Sequence, residues 1–76
     1  MTEAERDLLR AIGARVAGPR HMTNLSVDRA TLELLDDLVT QGLVESTGHV
    51  MQNPGPVVRV RLTGRGWVRF KGQRKP

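Results

Sequence analysis

The stretch "GLVESTGHVMQNPGPVVRVRLTGRG", Gly42 to Gly66, decides how this 76-residue chain folds. It leaves a leucine-rich segment at a glycine, passes a tip rich in proline and glycine, and returns as an alternating valine/arginine run. In residues 57–62 (VVRVRL), Val58, Val60 and Leu62 share one parity and Arg59 and Arg61 the other. That is the period-two pattern of a strand with one covered face. "QNPGP", Gln52 to Pro56, is turn chemistry, and Leu43-Val44 starts the strand before it. The spacing predicts a two-stranded antiparallel ribbon that carries its arginines outward.

Working back from the ribbon, Thr31, Leu32, Leu34, Leu35, Leu38 and Val39 fall on one arc of a helix at about 100° per residue. Arg29, Ala30, Glu33, Asp36, Asp37, Thr40 and Gln41 fill the remaining surface. Ser26 or Asp28 can cap this helix, and Gly42 suits the left-handed position that ends it. Residues 19–27 (PRHMTNLSV) read either as an extended connector or as a single helical turn after Thr23. Before them, Thr2 and Glu5 stand at capping-box spacing. Ala4, Leu8, Leu9, Ile12 and Val16 recur in steps of three and four, which predicts a first helix over about 3–16 ended by Gly18-Pro19.

Downstream of the ribbon, Thr63 can cap a short helical turn that places Trp67 and Phe70 on the core. "KGQRKP" reads as a frayed basic tail from about residue 71. The pattern predicts one α+β domain over residues 1–76, with a helical core, a two-stranded β-ribbon and a short C-terminal helical turn.

Charge is divided unevenly along the chain. Residues 1–45 hold five arginines against eight acids, a net −3. Residues 46–76 hold seven basic residues and no acid, a net +7. Such an asymmetry points to a polyanionic partner, with nucleic acid the commonest. No apolar run approaches the length of a membrane span, and the polar, acidic start does not resemble a signal peptide. With no cysteine, neither disulfides nor thiolate zinc sites are available, and the reading is a soluble cytoplasmic chain without membrane contact.

Catalytic constellations are absent from the pattern. His21 and His49 stand far apart with no ligand at metal spacing, so neither metal nor cofactor is expected. Ser26, Asp28 and His49 have no nucleophile elbow to orient them. Asp36 and Asp37 diverge by about 100° on a helix and do not form an acid/base pair. "TGRG" lacks the phosphate-cradling loop pattern, and its glycines serve the step from strand to helix. The chain reads as a binding module rather than an enzyme.

Helix, short connector, helix, "GLVE", ribbon and "LTGRG" in this order resemble the winged helix-turn-helix domain of small bacterial regulators such as the MarR and PadR families. "LLDDLVTQGLVE" (Leu34 to Glu45) is similar to the end of their recognition helix and the start of the wing. "RVRLTGRGWVRF" (Arg59 to Phe70) contains their Leu-Thr-x-x-Gly step at Leu62, Thr63 and Gly66. Two features depart from the family. Residues 19–27 are too short for the helix that braces the recognition helix, and no long dimerisation helix is present, so a dimer would need another surface.

The resemblance implies binding to double-stranded DNA in transcriptional control. In such docking the exposed N-terminal part of the recognition helix enters the major groove. Asn24, Ser26, Arg29 and Arg20 are then the expected base or backbone contacts at that end. Glu33, Asp36 and Asp37 oppose phosphates there, so most affinity is expected from Arg59, Arg61, Arg65, Arg69 and Lys71. The alternative is a protein-docking winged-helix module, such as a phage-type inhibitor of a nucleic-acid enzyme complex. It would present the acidic face of Glu33, Asp36 and Asp37 and the basic wing as two patches of opposite sign.

Overall fold

The computed structural model describes residues 1–16, 18, 21–51 and 56–74, side chains at 48–51 and 74 excepted. The elements are α1 (Glu3–Arg15), β1 (Thr23–Ser26), α2 (Arg29–Thr40), β2 (Val44–Met51), β3 (Val57–Leu62) and α3 (Gly64–Arg74). The strands form one antiparallel sheet in the order β1-β3-β2. This is a small α+β fold with α1 at its centre, packed on both other helices and on the sheet.

The expected two-stranded ribbon is therefore a three-stranded sheet. Residues 23–26 are extended rather than a helical turn, and as β1 they pair with the far edge of β3 in the register Leu25↔Val58 and Asn24↔Arg59. The Val27 N–H carries the ladder one step further, donating to the Pro56 carbonyl at 3.1 Å. The physical reason is that a strand bonded on one side only leaves a row of backbone groups open, and β1 satisfies them. Its inward face offers only Leu25, with buried Val27 after it, which is too short a pattern to declare a strand.

α1 begins with the predicted capping box. The Thr2 hydroxyl accepts from the Glu5 N–H at 3.1 Å, and a Glu5 carboxylate oxygen accepts from the Thr2 N–H at 2.8 Å. The other Glu5 oxygen accepts from Gln41 Nε2 at 2.7 Å, which ties the start of α1 to the end of α2. The Thr2 N–H, foremost among these partners, holds the Glu5 carboxyl below its ordinary pKa. At the start of α2 the cap is Asp28 rather than Ser26, its Oδ1 accepting from the Thr31 N–H at 2.7 Å.

α2 ends as the glycine predicted. Gly42 has φ 77°, its N–H reaches the Val39 carbonyl at 3.0 Å, and the Leu43 N–H reaches the Leu38 carbonyl at 3.0 Å. These are the two bonds of a Schellman motif. A side chain in the left-handed region costs roughly 1–2 kcal/mol. Gly42→Ala is accordingly expected to lower stability by about 1 kcal/mol, read as a lower urea midpoint at unchanged slope. No change in midpoint would remove the helix stop from the account.

The core joins Leu9, Ile12 and Val16 of the first segment, Leu35 and Leu38 of α2, the inward residues of all three strands, and Phe70. The apolar arc of α2 is narrower than its periodicity suggests: Leu35 and Leu38 are buried, but Leu32 and Val39 are exposed. At the other end, the expected helical turn is the eleven-residue helix α3, so residues 71–74 continue a helix and are not a frayed tail. Thr63 is the hinge of that step. Its hydroxyl donates to the Gly42 carbonyl at 2.6 Å and accepts from the Gly66 N–H at 3.0 Å. Trp67 and Phe70 face the core side as expected, with ring centroids 5.5 Å apart.

Candidate nucleic-acid interface

The sheet has one face on the core and one open to solvent. Because Val58, Val60 and Leu62 point inward, Arg59 and Arg61 point outward from β3, the middle strand. The register then sets their neighbours: Asn24 of β1 lies beside Arg59, and Glu45 of β2 lies beside Arg61. Ser26 is exposed on the same side of β1 as Asn24, one pleat along.

The two arginines are not equivalent. Arg61 donates from Nε and Nη2 to one Glu45 oxygen, at 2.9 and 2.6 Å. Its fork is already occupied by a carboxylate, although an exposed pair of this kind holds weakly. Arg59 has no carboxylate partner among the described residues, and with Met22, Thr23 and Asn24 it lines a shallow concavity. A guanidinium beside a side-chain amide can donate several hydrogen bonds to one phosphate.

The predicted cluster at the start of α2 is taken apart. Asn24 and Ser26 belong to β1 rather than to the helix N-terminus, because the segment that carries them pairs as a strand. Arg29 is the first residue of α2 and exposed, but it follows the Asp28 cap, whose carboxylate takes the Thr31 N–H. Arg20 lies outside the described residues. Glu33, Asp36 and Asp37 are exposed on α2 as expected.

Arg65 and Arg69 stand elsewhere, in a groove between the start of α1 and the outer side of α3, with Met1, Arg6, Val68 and Gly72. Arg6 was not singled out from the sequence. It sits among the acids of α1, and only the packing of α1 against α3 brings it beside the other two arginines. Lys71 places its Nζ 5.7 Å from the centroid of the Trp67 ring, a cation–π distance. Arg59 and Arg61 thus lie on the open sheet face and Arg6, Arg65 and Arg69 in the α1–α3 groove, while Arg29 starts α2 and Lys71 sits over Trp67.

His21 is exposed, and the His49 side chain lies outside the described residues. Among the described residues no three His, Asp or Glu side chains converge at metal distance, and no helix is long and apolar enough to cross a membrane. No family model, curated protein or solved structure gives a match to this chain.

Proposed function

We propose that the chain is a small DNA-binding regulator of winged-helix type that holds the duplex backbone on the open face of its sheet. The observation that carries this reading is the side-by-side placement of Asn24 and Arg59 on an uncovered face, with Arg59 free of carboxylates among the described residues. Arg59 supplies a bidentate fork for a phosphate, and Asn24 and Ser26 supply short polar contacts beside it. Arg61 joins them by exchanging Glu45 for a phosphate. The sequence order around Gly42 and the Leu62-Thr63-x-x-Gly66 step supports the winged-helix assignment. β1 stands where that family has its bracing helix.

The test is fluorescence anisotropy with a random duplex across a salt series. Binding with a Kd of roughly 10⁻⁴–10⁻⁶ M and a steep loss with salt is expected. Arg59→Ala should weaken it and reduce the salt slope by about one. Glu45→Gln should strengthen it, because the Arg61 fork is released. An absence of binding at low salt, or an unchanged slope for Arg59→Ala, would remove the sheet face from consideration.

A second reading, docking onto protein, has its own observation. α2 exposes Leu32 and Val39 beside Asp36, a combination that suits a protein surface better than a phosphate backbone.

A further inference from the structure

The large apolar side chains exposed among the described residues are Met1 (40%), Leu32 (37%), Val39 (41%) and Val68 (71%). They do not scatter. Leu32 and Val39 lie on α2 with Asp36 between them, at steps of four and three that form one row along the helix. Glu33 and Asp37 flank that row, and none of the three carboxylates has an ion-pair partner among the described residues. Met1 and Val68 lie in the α1–α3 groove, a shallow depression of about 680 Å³ that they share with Arg6, Arg65 and Arg69. Among the described residues no carboxylate lines it.

The two surfaces match in length as well as in charge. Arg65, Val68, Arg69 and Gly72 make one row of α3 seven residue steps long, the same axial length of about 10 Å as Leu32 to Val39. One row reads apolar, acid, apolar; the other reads basic, apolar, basic and ends on a glycine. A Cβ at Gly72 would meet nothing within 4 Å among the described residues, so that end of the row leaves open space for an apolar group. Gln73 completes the floor, and its buried amide oxygen and nitrogen have no hydrogen-bond partner among the described residues.

We infer that the chain associates with copies of itself, the Leu32–Asp36–Val39 row of one copy seated in the α1–α3 groove of the next. A phosphate backbone would satisfy the three arginines but leave Met1 and Val68 against water or charge. An acidic-apolar helix satisfies both, and this chain carries one at the same concentration as the groove. The surfaces are different, so the contact is heterologous and builds open chains or a closed ring, depending on the rotation between copies. It needs no nucleic acid and stands apart from the DNA-binding reading.

The experiment is analytical ultracentrifugation of the full chain, without nucleic acid, across concentration and salt. The mass should rise above 8.4 kDa with concentration at low salt and fall back as salt screens the charges. A row variant, Leu32→Ser with Asp36→Arg, and a groove variant, Arg65→Glu with Arg69→Glu, should each sediment as monomers. Mixed together, they should form a one-to-one complex, because each retains the surface that the other lacks. Val39→Ser and Val68→Ser, uncharged changes at exposed positions, should each weaken association at least tenfold. Circular dichroism verifies the fold of every variant. A wild-type chain that stays monomeric throughout, a variant that still self-associates, or a mixture that does not pair would each overturn the inference.

Discussion

Gly66→Ala is expected to be the most damaging small substitution in this chain. A Cβ built at Gly66 would lie 1.8 Å from the Leu43 carbonyl oxygen and 2.8 Å from its carbon, so the obstacle is backbone rather than a side chain that can turn aside. Leu43 cannot give way cheaply. Its carbonyl accepts the Thr63 N–H at 3.1 Å, and its own N–H closes the end of α2 on Leu38. Relieving the clash means lifting α3 from the start of β2, which also opens the Thr63 bonds to Gly42 and Gly66. A loss of about 3 kcal/mol or more is expected, a large part of the stability of so small a domain. Equilibrium urea unfolding measures it, and a loss below about 0.5 kcal/mol would mean that the backbones are not in contact there. By contrast Gly64→Ala, at a position where a side chain meets nothing within 4 Å, should be close to neutral.

The second large effect lies where Phe70 meets α1. Phe70 is 3% exposed, and its ring lies against Gly13, where an added Cβ would come within 2.3 Å of a ring carbon. Phe70→Ala should cost about 3–5 kcal/mol, from lost burial and the cavity left behind. Gly13→Ala tests the same contact from the other side. In an open helix that change gains roughly 1 kcal/mol, but here overpacking should reverse the sign and cost about 1–3 kcal/mol. The two substitutions share one volume, so the double variant should lose less than the two single losses together. Strict additivity in a double-mutant cycle would show that ring and glycine are not in contact.

Much of this architecture could be read from the residues because several signals agreed locally. Thr2 with Glu5, the row of Leu9 and Ile12, Gly42 after α2, and the parity of residues 57–62 each rest on short-range physics, and each has its structural counterpart. What could not be read depends on distant partners. β1 owes its strand conformation to β3, more than thirty residues away, and holds too few alternating residues to announce itself. α3 runs on through glycines and basic residues that predict fraying, because one face of it is fixed by Gly66 and Phe70.

The candidate site follows the same division. That Arg59 and Arg61 share a face follows from parity alone. That Glu45 engages one of them, and that Asn24 stands beside the other, follows from a register that no local pattern encodes. The groove of Arg6, Arg65 and Arg69 depends wholly on the packing of α1 against α3.

The position of β3 in the middle of the sheet also limits what the chain can enter. A two-stranded ribbon is narrow enough to lie inside the major groove of B-DNA, which is about 12 Å wide. From Val57 to Val60 this ribbon carries β1 along its second flank. At about 4.8 Å between strands, three strands measure about 10 Å across their backbones, so side chains leave the sheet little clearance in that groove. On the DNA-binding reading proposed above, a three-stranded sheet would rest across the two sugar–phosphate rails more readily than it would descend between them. Arg59 would then meet the rails, and any preference among sequences would come from how readily a duplex conforms to a broad sheet face.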